Sequence, residues 1–298
     1  MIFFFAAIFT SISTIIFIRL CNKYKILLNF TGDQHQKYTS FKRIPLVGGI
    51  IFLLFIFFFT DFNLLIKFFA FSMFVIGILS DLKLLESPKK RLLIQFLFLI
   101  LFLYALDIHL VSTQFQLLDF LLGNVFFSFL FTAFCISIVI NGTNFIDGNN
   151  NNVLGYYLSI SCVLFFLNKN GVPSIGINNN LLLAELILIL LIFNFLNKMY
   201  LGDGGSFLFG SIFSLILIEF YLNNPGTISA FFIVLLLWYP AFENLFSIIR
   251  KFYFFKSPMH PDNNHLHQLL YFFLTKKLSW NKVLLNNSVG LLINFYNF

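Results

Sequence analysis

Charge is what this sequence has least of. Asp, Glu, Lys and Arg make up 10% of its 298 residues, against 59% hydrophobic residues, and the mean hydropathy is +0.90. A water-soluble domain carries about 25% charged residues. Too little polar surface is left to cover a soluble globule, so the chain is an integral membrane protein. Cysteine is scarce too, with Cys21, Cys135 and Cys162 giving an odd number and no CxxC spacing. That excludes a disulfide framework and a cysteine zinc site. Cys135 and Cys162 lie in apolar runs and read as buried, inert thiols. The first apolar stretch, Ile2–Leu20, lacks a charged leader and a small-residue cleavage site, and Arg19, Lys23 and Lys25 mark its end. It reads as a retained span rather than a signal peptide. No polar stretch is long enough for a soluble domain; the longest, Arg250 to Asn281, is broken by aromatic and leucine runs. No inverted internal repeat of the transporter kind is found, and no nucleic-acid partner is expected. The 47 phenylalanines read as compositional bias on lipid-facing positions and carry no functional signal.

What is present is a series of apolar segments. At ~20 residues per span they run Ile2–Leu20, Leu46–Phe59, Phe62–Leu79, Leu92–Leu106, Leu118–Ile140, Val153–Leu167, Leu181–Leu196, Phe207–Leu222, Ile228–Ile249 and Lys282–Phe298. Their length and lack of alternation favour helices over barrel strands. The expected fold is all-α: one polytopic bundle of about ten transmembrane helices, a single domain over 1–298. With the amino terminus outside, the odd-to-even connections hold nearly all the basic residues, and only Lys67 and Lys169 fall on the other side. By the positive-inside rule those connections are cytoplasmic.

Five polar stretches then reach that same basic face. They are Asp33 to Gly49; Ser80-Asp81 with Lys89, Lys90 and Arg91; Asn141-Gly-Thr-Asn144-Phe-Ile-Asp147-Gly148; Gly202-Asp203-Gly204-Gly205-Ser206; and Ser257-Pro258 through His260, Pro261 and Asp262 to His265-Leu-His267. Loops with no function have no reason to concentrate Asp, Asn, His and Gly on one side. Asp81, Asp147 and Asp203 would repel one another at the membrane boundary unless a cation offsets them. Oxygen ligands favour Mg²⁺, with Mn²⁺ as the alternative, and Mg²⁺ shares its shell with substrate phosphates. The glycines around Asp203 allow close backbone approach, and a helix starting near Phe207 would offer its N–H groups to an anion. Lys89, Lys90 and Arg91 could hold a lipid phosphate. The pattern points to phosphoryl chemistry between a soluble donor and a membrane acceptor.

Each piece also has a plain reading. An Asp-Gly turn is usually a turn, Ser-Asp before basic residues is usually capping, and Asn149–Asn152 and Asn178–Asn180 read as solvated low-complexity loops. The histidines His260, His265 and His267 lack a partner at zinc spacing and read as nucleotide or phosphate contacts. Of the intramembrane acids Glu185, Glu219 and Glu243, the first two fall toward outer ends. Glu243 follows Pro240 and could either support the site or satisfy a kinked helix.

In this order the motifs resemble the polyprenyl-phosphate N-acetylhexosamine-1-phosphate transferase superfamily, over nearly the whole chain. The strongest pieces are Asn141–Gly148, Leu201–Ser206, and Gly77–Asp81 with Arg91-Leu-Leu-Ile-Gln95. The His265-Leu-His267 segment looks like the branch that makes GlcNAc lipids for O-antigen and related surface polysaccharides. The peptidoglycan branch usually has three consecutive histidines there, which this chain lacks. The resemblance implies that a polyprenyl phosphate such as undecaprenyl phosphate attacks the β-phosphorus of a UDP-N-acetylhexosamine and releases UMP. It implies catalytic roles for Asp81, Asp147 and Asp203, and Mg²⁺ held by Asp203 and Asp147. It places substrate contacts at Asn141, Asn144, Gly202, Gly204, Ser206, His265, His267, Lys89 and Arg91, and admits a homodimer. Ser80 departs from the pair of adjacent acids common in the family, Asn149–Asn152 from a glycine-containing continuation, and Gln268 from a further histidine. Two other readings stand beside the transferase: a secondary transporter, and an inactive homologue.

Overall fold

A computed structural model describes residues 1–29, 43–172, 177–254 and 264–298, with side chains of 178–254 in the third stretch. Asp33, Lys37, Lys42, Ser257, Pro258, His260, Pro261 and Asp262 lie outside the described residues. The described chain is all-α apart from a two-residue hairpin pairing. Its helices are α1 Ile2–Tyr24, α2 Gly48–Phe59, α3 Leu64–Asp81, α4 Pro88–Leu106, α5 Gln116–Leu122, α6 Val125–Ile146, α7 Asn152–Lys169, α8 Ile177–Phe195, α9 Gly202–Asn223, α10 Ala230–Leu236, α11 Trp238–Tyr253, α12 Leu266–Lys277 and α13 Lys282–Asn297. Strands β1 (Leu28–Asn29) and β2 (Ile44–Pro45) pair antiparallel.

Every apolar segment of the sequence is helical. Two of them are broken. Leu118–Ile140 divides into α5 and α6 where Asn124 caps the second helix by accepting the Phe127 N–H at 3.1 Å. Ile228–Ile249 divides into α10 and α11, bent by 76°. Helix α12 was not expected as a separate element. Among the described residues five helices are long and apolar enough to cross a membrane: α1, α3, α6, α8 and α9. The α10–α11 pair makes a sixth if counted as one span. The chain is therefore a multi-pass membrane protein, and among the described residues the helices that qualify by length and composition are fewer than the ten expected.

Helix α9 is the hub. Nearly all of it from Gly204 to Tyr221 is buried, and α3, α6 and α2 pack around it. Lipid outside the bundle is as apolar as leucine, so close packing rather than water exclusion holds such helices together. Glycine makes that approach possible. A Cβ on Gly49 of α2 would lie 2.5 Å from the Gly205 N, and one on Gly77 of α3 would lie 2.5 Å from the Asp203 carbonyl oxygen. The start of α9 is thus held between two glycine faces. An extended segment supports it from behind. The Tyr200 N–H donates to the Pro45 oxygen at 2.9 Å, and the Gly48 N–H donates to the Tyr200 oxygen at 3.1 Å.

Two readings from the sequence are corrected. Cys21 is buried, but Cys135 is only half-buried and Cys162 is exposed, since apolar runs in a bundle also face lipid. The asparagine patches are not solvated loops. Asn150, Asn151 and Asn152, with Asn179 and Asn180, are buried, because neighbouring helices supply the hydrogen bonds that water would otherwise give.

Candidate active site

The polar motifs are helix ends rather than free loops. Ser80-Asp81 closes α3, Asn141 to Ile146 forms the last turns of α6, and Gly202 to Ser206 opens α9. Helix α6 continues through its polar residues, and the Asn141 Nδ2 finds an acceptor in the Ser137 carbonyl one turn back, at 2.8 Å. Ser87 accepts from the Lys90 N–H and Pro88 stands in the first turn, which starts α4 and sets Arg91 on its first turn. Chain direction alternates, so the ends of α3, α6 and α8 and the starts of α4, α7 and α9 meet at one end of the molecule.

Asp203 is the centre of the cluster. Its Oδ2 accepts from the Ser80 hydroxyl at 2.5 Å and from Arg91 at 2.9 Å. Its Oδ1 accepts from the Asn144 Nδ2 at 2.6 Å. The same amide reaches the buried Ser206 hydroxyl at 3.1 Å. Arg91 also bonds to Ser80, so a serine, an arginine and an aspartate close a triangle across α3, α4 and α9.

Asp81 has a different job. Its Oδ1 accepts the Asp203 N–H at 2.9 Å and its Oδ2 accepts the Gly204 N–H at 3.0 Å. It caps α9 from a neighbouring helix, where the helix dipole and two unpaired N–H groups favour a carboxylate. The expectation that these N–H groups meet a substrate anion is corrected: a protein carboxylate already takes two of them. Gly202, at φ +73°, turns the chain into α9, and a Cβ there would lie 2.7 Å from the Asp81 Oδ2.

Asp147 caps the end of α6, half-buried, and its carboxylate has no hydrogen bond among the described residues. Withdrawal from water, then the Asp203 and Asp81 charges, hold its carboxyl well above the usual carboxylate range. Three acids thus share one region, and among the described residues Arg91 is ion-paired with one of them, Asp203.

The histidines arrive from α12. The His265 Nδ1 lies 2.9 Å from the Glu243 Oε2, and the other Glu243 oxygen accepts the Leu266 N–H at 2.9 Å. Glu243 is buried and fixes both the ring and the start of α12, so it supports the site rather than a kink. His265 also packs on Phe145, with ring centroids 5.1 Å apart. The buried His267 lies parallel to His265 at 5.8 Å, and its Nε2 would be 2.2 Å from a Cβ on Gly148. Both histidines therefore border the Asp147-Gly148 turn.

Other expected contacts stand farther off. The Asn141 side chain donates to the buried Gln95 at 3.1 Å and ties α6 to α4. Lys89 is exposed and makes no hydrogen bond or ion pair to the cluster, unlike Arg91. Glu243 was visible in the sequence as an intramembrane acid. Gln95 was visible only as part of the Arg91 to Gln95 motif, without a role.

A site of three acids, an arginine and an asparagine at the mouth of a helical bundle meets a family pattern here. The model for glycosyl transferase family 4 matches residues 63–221, the stretch from α3 through α9 that supplies Ser80, Asp81, Arg91, Asn144, Asp147 and Asp203. The chain belongs to glycosyl transferase family 4. One relative in that setting is the undecaprenyl-phosphate alpha-N-acetylglucosaminyl 1-phosphate transferase of Thermotoga maritima. It is 27% identical over 261 residues, covering 85% of this chain and 76% of that protein. Another is the probable undecaprenyl-phosphate N-acetylglucosaminyl 1-phosphate transferase of Bacillus subtilis. It is 27% identical over 213 residues, covering 70% of this chain and 59% of that protein. Family members are glycosyl transferases, so the transporter reading of the sequence is set aside.

Proposed function

We propose that this chain transfers N-acetylhexosamine-1-phosphate, with GlcNAc as the sugar, from a UDP-sugar to undecaprenyl phosphate, releasing UMP. The reaction would be the first membrane step toward a surface polysaccharide such as lipopolysaccharide or a cell-wall polymer, on the cytoplasmic side of a bacterial inner membrane. One observation carries the reading: Asp203, Asp81, Asp147, Arg91 and Asn144 converge at one end of the bundle, within the stretch that defines the family. The names of the two relatives support the acceptor lipid and the sugar.

In the reaction an oxygen of the lipid phosphate attacks the β-phosphorus of the donor. The bond from that phosphorus to the oxygen bridging it to UMP breaks, and UMP leaves with the electron pair. Ser80 cannot serve as a carboxylate base. None is needed, because a phosphate monoester has a second pKa near ~6 and is mostly dianionic at neutral pH. Positioning and charge neutralisation carry the rate instead. Arg91 offers the incoming phosphates a guanidinium, and Asn144 orients Asp203. His265 and His267 stand beside the Asp147-Gly148 turn and would contact the donor.

The residues fit a divalent cation. Among the described residues three acids share the region with one paired arginine, and the Asp147 carboxylate has no hydrogen-bond donor. Among the described residues no three His, Cys, Asp or Glu side chains form a complete cage. That suits Mg²⁺, which takes one or two carboxylates plus substrate phosphates. Asp147 and Asp203 would hold it, and when bound it would neutralise charge on the pyrophosphate.

The test supplies membranes containing the protein with UDP-[¹⁴C]GlcNAc, undecaprenyl phosphate and Mg²⁺. Organic-extractable label and UMP are expected, both lost with EDTA and with Asp203→Asn. No label from any UDP-N-acetylhexosamine would overturn the proposal and favour the inactive homologue that Ser80 suggests.

A further inference from the structure

The asparagines that look like low complexity form one connected lattice, buried at Asn150, Asn151, Asn194, Asn286 and Asn287 and half-buried at its edges, Asn197 and Asn294. The Asn150 N–H donates to the Asn286 Oδ1 at 3.1 Å, and its side-chain amide donates to Asn287 at 3.0 Å and Asn197 at 3.3 Å. The Asn151 N–H donates to the Asn194 Oδ1 at 2.7 Å, and the Asn294 amide donates to the Asn151 oxygen at 2.8 Å. Asn287 donates in turn to the Phe195 oxygen at 2.9 Å. On the far side, Asn194 donates to the Met199 oxygen at 2.9 Å, and the Tyr200 hydroxyl donates to Asn197 at 2.9 Å.

The lattice therefore has two ends. One lies three residues after Asp147, in the turn between α6 and α7. The other lies three residues before Asp203, on the segment leading into α9. Helix α13 is the third member and supplies Asn286, Asn287 and Asn294. It sits close: a Cβ on Gly290 would be 2.1 Å from the Asn150 oxygen. The Asp147 carboxylate has no hydrogen bond of its own among the described residues, so its place is set by its backbone. That backbone is hydrogen-bonded into the lattice after the Asp-Gly turn, and His267 lies close against Gly148.

We propose that this lattice sets the spacing between the Asp147 and Asp203 carboxylates, and that Asn286 and Asn287 of α13 are positioning residues for the transfer reaction. The inference rests on the proposed function, and it gives the carboxyl-terminal helix a role at a site it does not enter. Asn151, Asn152 and Asn294 each leave a side-chain oxygen without a partner among the described residues, so the positioning is carried by the bonds named above; linked buried hydrogen bonds strengthen one another, and misplacement of a reacting group by about 1 Å costs up to 10²-fold in rate.

The experiment compares Asn286→Leu, Asn286→Asp and wild type. Among the described residues the Asn286 side chain accepts from the Asn150 N–H and makes no other hydrogen bond, so Asp preserves the bond and Leu removes it. Two quantities are read: kcat with KM for both substrates, and amide hydrogen exchange of the 148–152 peptide without substrate. Asn286→Leu is expected to lower kcat about tenfold or more with KM nearly unchanged and to speed exchange in that peptide. Asn286→Asp should recover most of both. Faster exchange with unchanged kcat would overturn the positioning role, and unchanged exchange would overturn the lattice. If Asn286→Leu does not fold, Asn294→Leu removes the bonds to the Asn151 and Asn152 carbonyl oxygens and is judged by the same two readings. A wild type without transfer activity would sink the proposed function instead, and exchange alone would then judge the lattice.

Discussion

At the scale of single residues, the three aspartates divide their work by what surrounds them. Asp81 is spent on two backbone N–H groups, Asp203 on Ser80, Arg91 and Asn144, and Asp147, among the described residues, on no hydrogen bond. Asp81→Asn would turn an amide NH₂ toward one of two N–H donors. It is expected to cost about 0.5–2 kcal/mol, the usual worth of a helix cap, and to lower thermal stability in detergent along with activity. His267 gives a pH signature. Burial, then the neighbouring His265, pulls it down to about 3 from an ordinary 6.5. The unfolded chain therefore binds more protons than the folded one between those values, so stability rises with pH across that window. The contribution is complete above about pH 6.5 and is lost as pH falls toward 3. The unfolding temperature of wild type should drop from pH 7 to pH 4.5 more steeply than that of His267→Gln, and equal slopes would contradict the burial.

At the scale of elements, close glycine contacts replace the hydrophobic driving force that a lipid setting removes. A Cβ on Gly142 of α6 would fall 1.9 Å from the Pro240 oxygen of α11. Pro240 and Glu243 share that helix, so a displaced α11 would carry His265 with it. Gly142→Ala is expected to cost about 1–3 kcal/mol as an overpacking change and to reduce activity, checked by folded yield and transfer rate. Helix positions were legible because apolar runs mark them directly. Their ends were not. The sequence reading stops α6 at Ile140 and starts α9 near Phe207, since it treats polarity as the end of a helix. The structure carries both helices through their polar motifs, with side-chain and cross-helix hydrogen bonds serving the groups that lipid cannot. Helix α12 was missed because it is short and its start is set by Glu243, a long-range partner that local pattern does not reveal.

At the scale of the whole molecule, the sequence reading of which segments share one face holds in the described residues, because chain direction alternates from helix to helix. Ser80, Asp81, Arg91, Asn144, Asp147 and Asp203 were all named from residue type and order, and the structure brings them together. Their division of labour was not visible, because it depends on distances across α3, α4, α6 and α9. The asparagine run was misread for the same reason, its partners lying in α8 and α13. Sidedness is checkable. In a chain whose own cysteines are replaced, Lys83→Cys and Lys198→Cys lie at the site end and Gln116→Cys at the other. A membrane-impermeant thiol reagent is expected to reach the first two only from the cytoplasmic side and the third only from outside. Labelling of all three from one side would contradict the arrangement.

The central claim is that the bond broken lies at the donor's β-phosphorus rather than at the sugar carbon. It is tested most directly with UDP-GlcNAc carrying ³²P at the β-position. The account predicts ³²P in the lipid fraction, with unlabelled UMP released in equal amount. Label left in water-soluble UDP while the sugar moves to lipid would show transfer at the sugar carbon and contradict it.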